Sequence, residues 1–365
     1  MDLSALIFLC YHITVFTGDG KMNDIWVLGE TKPSGELSST VFELTAKARE
    51  LADEAAKLTG KTRGVKVLLI LDSAVSDVAR PEQAGHYGAD SVIVVSGAGL
   101  PADRAASANV LAHLAAQSEP SVIMASATAF GRSVMPYAAA LLKTGLTADC
   151  TGLSIDPDGL LLQTRPAIGG NVMATIKTPN HVPQMATVRP RTFRIPTPNT
   201  DRHAALEFPE IPDEVMRQTV TTVSFKKFDE RTGTLQERDV IVSGGKGLRR
   251  AQGFELISEL ADLLGGGVGA SRPTVEMKWM SYPHQVGLSG QVVSPKVYIA
   301  AGISGAVQHL AGIHTSGKII AINRDPDAQI FNASDVALCG DLYEIIPMLV
   351  EKIEQKKRGS APYPA

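Results

Sequence analysis

Cysteine is scarce in this chain. The 365 residues hold three, Cys10, Cys150 and Cys339, far apart and in no CxxC pair. That excludes cysteine-rich zinc and iron–sulfur signatures and a disulfide framework, and it fits a reduced, cytoplasmic setting. The eight histidines are scattered, and no HExxH occurs. His309 and His314 are five apart, which is wrong for two ligands on one helix face, so no metal site is indicated. Charge of one sign is also lacking: a formal net charge of −3 gives no surface for a polyanion, and nucleic acid is a poor fit.

No membrane-length apolar run is present either. Leu3 to Phe16 is mostly apolar, but about twenty residues are needed to span a bilayer. A secretory signal would need a basic start and a small-residue cleavage site, which are missing. Met22 stands just before Ile25-Trp26-Val27-Leu28, which reads as a first core strand. Translation is therefore expected to begin at Met22, with residues 1–21 a start-site extension.

What is present is an ordinary globular composition, 44% apolar and 20% charged. The length makes two domains the natural expectation. From residue 23 to about 190, apolar strands (25–28, 65–71, 91–95, 122–125) alternate with helices (38–58, 104–116, 133–143). Continuous apolar strands separated by helices predict a mostly parallel sheet covered on both faces. Residues 145–188 change character: short strands near 153–155, 160–164, 172–177 and 184–188 are parted by turn sequences. They are expected to form an antiparallel edge on the first domain. Pro190, Pro196, Pro198, Pro209 and Pro212 then break regular structure, so 191–238 reads as a Pro-rich connector with at most one strand, at 219–227.

A second alternation runs over 239–356, leaving 357–365 as a tail. Strands are expected at 240–242, 268–270, 297–301, 319–322 and 336–338, and helices at 254–264, 306–311 and 343–356. The fold class is thus α/β, with two doubly wound, mostly parallel-sheet domains, 22–190 and 239–356. In such sheets ligands bind beyond the carboxyl ends of the strands.

Polar and glycine residues collect at these ends. Ser243-Gly244-Gly245-Lys246-Gly247 follows the first strand, Ser271-Arg272 the second, and Gly302 to His309 the third. Asn323-Arg324-Asp325 and Cys339-Gly340-Asp341 follow the last two. Glycines allow close backbone approach, and free amides suit phosphates. Each piece alone is weak. The GGKG run fails the phosphate-loop pattern, and Gly265 to Ala270, though it matches GxGxxA, precedes a strand and reads as a helix C-cap and turn. His309 alone would be a satisfied core histidine, Arg272 a surface charge, and Asp341 an N-cap for the last helix.

Together these residues resemble a known family. Gly269-Ala270-Ser271-Arg272-Pro273, His284-Gln285-Val286-Gly287-Leu288-Ser289-Gly290 and the run from Ile299 to Asp325 closely resemble the flavin domain of electron-transfer flavoprotein alpha subunits. The resemblance is strong over 239–356. Upstream it is looser, with family-like residues at Thr164 to Asn171 and Met185 to Pro190. It implies FAD as cofactor, with Arg272 over the isoalloxazine, Ser289 at flavin N5 and His309 near the O2 edge. Gln285, Val286, Gly287 and Leu288 would line the ring. Ser304, Gly305, Ala306, Val307 and Gln308 would face the pyrophosphate and ribityl chain. Lys246, Ser271, Asn323, Asp341 and Leu342 would hold the phosphates and the adenosine half. Two departures stand out: many members have Arg where Lys246 stands, and Gln-Thr where Leu288-Ser289 stand. Lysine keeps the charge but loses the planar fork.

The resemblance further implies a heterodimer with a beta subunit, passing single electrons between an acyl-CoA dehydrogenase class enzyme and another redox partner, ferredoxin or flavodoxin among them. The HQVGLS variant and Thr147 to Thr151 lean toward the electron-bifurcating branch rather than the conventional one. Two other readings compete. An NAD-dependent enzyme lacks a proper glycine fingerprint with its acidic residue. A scaffold with a decayed flavin site is opposed by Arg272, Ser289 and His309. A guanidinium about 4 Å from a reduced ring, at an effective dielectric near 20, would contribute roughly 4 kcal/mol.

Overall fold

The computed structural model describes residues 24–359 except 33, 75, 168–171, 221–222 and 224–234. The expected extension 1–21, most of the strand expected at 219–227, and Ile168 to Asn171 lie outside the described residues.

The first domain is a seven-stranded sheet with helices on both faces. Its strands are β1 (Ile25–Gly29), β2 (Val65–Asp72), β3 (Ser91–Gly97), β4 (Val122–Ser126), β5 (Leu146–Cys150), β9 (Gln184–Val188) and β10 (Ala205–Glu207). They lie in the order β10-β3-β2-β1-β4-β9-β5, all parallel. The helices are α1 (Ser39–Thr59), α2 (Arg104–Ser118) and α3 (Gly131–Leu141). α1 shows why the sequence folds as it does. Ser38 accepts the Thr40 amide at its start, Gly60 takes a left-handed φ of 72° at its end, and Val41, Leu44, Ala48, Leu51 and Ala55 line its buried face. Two apolar clusters, one on each face of the sheet, form the core.

Two expectations need correction here. The segment 145–188 is not one antiparallel edge. Among its described residues only β6 (Gly152–Ile155), β7 (Leu161–Pro166) and β8 (Met173–Lys177) pair antiparallel, as a separate three-stranded sheet. Gln184–Val188 instead enters the main sheet between β4 and β5. All five of its residues are buried, which requires cover on both faces and suits a sheet interior better than an edge. The Pro-rich connector also returns to the first domain. β10 pairs with β3 through Ala205 to Glu207, and Ile211, Val215 and Met216 pack on the core. Asp103, 2% exposed, accepts the amides of Ala105 and Ala106 at the start of α2 and those of Thr219 and Val220 from the connector. Prolines stopped long elements, yet a three-residue edge strand needs no unbroken pattern.

The second domain is a five-stranded parallel sheet in the order β12-β11-β13-β14-β15. Its strands are β11 (Val240–Gly244), β12 (Gly267–Ala270), β13 (Val297–Ala301), β14 (Lys318–Asn323) and β15 (Val336–Cys339). α4 (Gly253–Leu263), α5 (Arg272–Glu276), α6 (Val307–Leu310) and α7 (Leu342–Gly359) complete it. Gly265, at φ 64°, and the Gly266 amide bonded to the Ala261 carbonyl close α4 and lead into β12, so the glycine run is a helix stop as expected. Two apolar clusters again sandwich the sheet, separate from those of the first domain.

Where the chain leaves the first domain, Glu43 of α1, 3% exposed, accepts the amides of Arg191 and Phe193. Arg191 reaches across to the Arg238 carbonyl at 2.8 Å and to Asp239 at 3.2 Å, just before β11.

Candidate functional site

In the second sheet the chain starts at β11, adds β12 on one side, and crosses to β13 on the other. The crevice between the ends of β11 and β13 is therefore the topological switch point, where open α/β sheets bind ligands. Glycines from both strands meet there: the Gly245 amide donates to Ala301 and the Gly247 amide to Gly302. A Cβ on Gly245 would lie 2.2 Å from the Gly302 carbonyl oxygen, so no other residue allows this approach. Gly305, at φ 88°, packs against Ile330, whose amide nitrogen would lie 2.2 Å from an added Cβ.

The loop after β13 supplies donors. Among the described residues, the backbone amides of Ser304, Gly305, Ala306, Val307 and Gln308 have no protein acceptor, and all but Gly305 are exposed. Lys246 and Arg249, after β11, are exposed beside the same crevice. Arg249 pairs with Asp341 at 3.0 Å. Exposed amides and cations with no buried carboxylate among them match the oxygens of a dinucleotide pyrophosphate.

A second loop lies against this one. The Val286 amide donates to Ala270 at the end of β12, Leu288 donates to Gln308, and Gly287 to Gln291. Gln285 is thereby bridged to Ala270, two residues before Arg272, and its loop carries Ser289. Gln285, 4% exposed, donates from its amide nitrogen to Ser289 Oγ at 3.1 Å, and Tyr282 donates to the Ser289 carbonyl at 2.9 Å. Leu288 is 53% exposed. The Arg272 side chain, 65% exposed, is paired through Nε with Glu276 at 2.7 Å.

The remaining expected site residues are buried or half-buried. His309 is 6% exposed, with both ring nitrogens engaged: Nδ1 with the Val286 carbonyl at 3.1 Å, and Nε2 with the Tyr298 hydroxyl at 3.0 Å. Burial pulls its pKa down to about 4, against the opposing pull of the Val286 carbonyl. Asn323 donates to the Ile303 carbonyl and accepts from Asp325, which holds the β14 turn against the β13 loop. Asp341 accepts the Tyr343 amide at the start of α7 besides pairing with Arg249. Val286 and Leu342 belong to the apolar clusters, and Ser271, 7% exposed, precedes α5.

Sequence reasoning missed Arg249, Glu276, Tyr282 and Tyr298. Glu276 is legible as the i+4 partner of Arg272. Tyr298 looked like any strand residue, and its partner lies eleven residues on.

Comparison with known proteins settles the family. The electron transfer flavoprotein domain matches residues 25–214, and the electron transfer flavoprotein FAD-binding domain matches 234–314. The chain belongs to the electron transfer flavoprotein alpha-subunit family. It is 44% identical over 338 residues to the electron transfer flavoprotein subunit alpha of Thermoanaerobacterium thermosaccharolyticum, covering 92% of this chain and 98% of that one. The same-named subunit of Megasphaera elsdenii is 39% identical over 339 residues, with 91% and 97% covered. A protein of Anaerotignum propionicum named acryloyl-CoA reductase electron transfer subunit beta is 37% identical over 366 residues, with 92% and 96% covered. The cofactor of this electron-transfer family domain is FAD, and the donors and cations at the switch point fit it. Among the described residues no helix is long and apolar enough to cross a membrane, and no metal-binding cluster occurs.

Proposed function

We propose that this chain is the FAD-holding half of a cytoplasmic heterodimer with an electron transfer flavoprotein beta subunit. It passes single electrons between an acyl-CoA dehydrogenase class enzyme and a second redox partner, within an NADH/ferredoxin bifurcating system. The observation that carries this reading is the exposed rim. Arg272 and Ser289 are both exposed, on segments joined by the Ala270–Val286 contact, so a ring held between them would stay within reach of a partner protein rather than inside a substrate pocket. The relative named for acryloyl-CoA reductase supports a partner that works on an acyl-CoA.

FAD supplies the one-electron chemistry. The chain's own residues hold and tune it. The amides of Ser304 to Gln308 and the cations Lys246 and Arg249 take the pyrophosphate charge. Arg272 offers a guanidinium cation, and the Ser289 hydroxyl, held by Gln285 while Tyr282 holds the Ser289 carbonyl, offers one hydrogen bond at the ring.

Two measurements test this. Arg272→Ala in the FAD-loaded heterodimer should lower the flavin midpoint potential by on the order of 50–100 mV, since solvent screening reduces the Coulomb term at an exposed guanidinium. An unchanged potential would remove Arg272 from the ring. The bifurcating branch requires two FAD per heterodimer and reduction by NADH; one FAD with bound AMP and no response to NADH would leave the conventional carrier.

A further inference from the structure

His309 is enclosed by two interactions that together fix its protonation. The Val286 carbonyl can only accept, so Nδ1 at 3.1 Å must carry a proton. In the neutral ring Nε2 then presents a lone pair, and the Tyr298 hydroxyl at 3.0 Å must donate to it. Tyr298 is fully buried at the second position of β13, among Val286, Val293, Ala300 and Ile313. Its phenol is the titratable group that faces the ring, and burial pushes its own pKa up, so it remains a donor. Each of these two buried polar groups satisfies the other; the buried Ser243 hydroxyl is the further polar neighbour of the phenol, and with Nδ1–H held by the Val286 carbonyl the neutral ring still needs the Tyr298 proton at Nε2.

We infer that Tyr298 is a positioning residue that holds His309 as the neutral, Nδ1-protonated tautomer, leaving neither ring nitrogen a proton to offer a ligand at the carboxyl edge. The consequence for the flavin rests on the reading of the site given above. The positive charge offered to FAD comes from Arg272, Lys246 and Arg249, and His309 acts through geometry. Its Nδ1–H pins the Val286 carbonyl, while one residue away its own loop accepts the Leu288 amide through Gln308. The chain of contacts from Tyr298 through His309 to Val286 thus sets the loop that carries Ser289.

The test uses the full chain in its heterodimer, labelled with 15N-histidine, and reads the two-bond 1H–15N pattern of the His309 ring. The expected result is an Nδ1-protonated neutral ring throughout pH 8 to 5. An Nε2-protonated tautomer, or a ring that becomes cationic in that range, overturns the inference. Tyr298→Phe should move the Nε2 resonance toward that of an unbonded lone pair and raise the pH at which the ring titrates. Retention of the native Nε2 resonance in that variant overturns it too, and if the variant does not fold the native spectrum still decides. The expected tautomer in a protein that takes up no FAD would overturn the flavin reading and leave the assignment of Tyr298 standing.

Discussion

The chain contains two switch points, and they are chemically opposite. In the second domain the ends of β11 and β13 present glycines, exposed amides and cations. In the first domain the corresponding crevice lies between β1 and β4, since β2 and β4 flank β1 on its two sides. There Glu30, directly after β1, accepts from the Thr128 hydroxyl at 2.5 Å, and Thr128 also caps the Gly131 amide that opens α3. A carboxyl group here bonds across the gap, where the second domain has glycine amides. Burial raises the Glu30 pKa to about 7, against the opposing pulls of Thr128 and Arg104. One architecture thus builds a binding site in one half and a structural seam in the other, and the difference rests on the few residues after each first strand.

The strongest way to break this contrast is Gly305→Val. A branched side chain at φ 88° that also meets the Ile330 amide should cost about 2–4 kcal/mol and deform the donor loop. The expected outcome is loss of flavin, read as the ratio of visible to ultraviolet absorbance, with a lower melting transition. Glu30→Gln sharpens the contrast from the other side. With its pKa raised on folding, Glu30 contributes stability that is complete below its unfolded value and lost as pH rises to about 7. Melting temperature should therefore fall with pH across that window, by the equivalent of about 2–3 kcal/mol, and the glutamine variant should flatten that slope while flavin content stays unchanged. The smallest effect is expected from Glu276→Gln. It frees Arg272 from an exposed pair worth about 0.5 kcal/mol or less, so stability should hardly move while the flavin potential rises by roughly 10–20 mV.

The sheet of the second domain was legible because continuous apolar strands ended in glycine and polar runs, and those runs are the rim of the crevice. Lys246 and Ser304 to Gln308 follow β11 and β13 there, while Arg272 follows the neighbouring β12. The depth of Val286 and Leu342 was not legible, since sequence shows which residues neighbour a strand end but not which turn inward, whereas His309 is the satisfied core histidine that its residue type alone suggests. β9 was misread because five buried residues in a polar-looking neighbourhood resemble an edge strand until both covering layers are known. β10 was missed because its pairing with β3 spans more than a hundred residues, and no local pattern encodes such a contact. Tyr298 fails for the same reason at shorter range: its meaning depends on a histidine that folding brings to its hydroxyl.

Arg191 sets the character of the join between the two domains. Its side chain ties the exit of the first domain to Asp239 at the entrance of the second, and that aspartate is also claimed by Lys296 at 2.9 Å. The pair is partly exposed, so it is worth about 1 kcal/mol or less, little more than thermal energy, and dissolved ions weaken it further. With separate cores on either side, this clasp is the salt-sensitive point of the join, and rising ionic strength should loosen it.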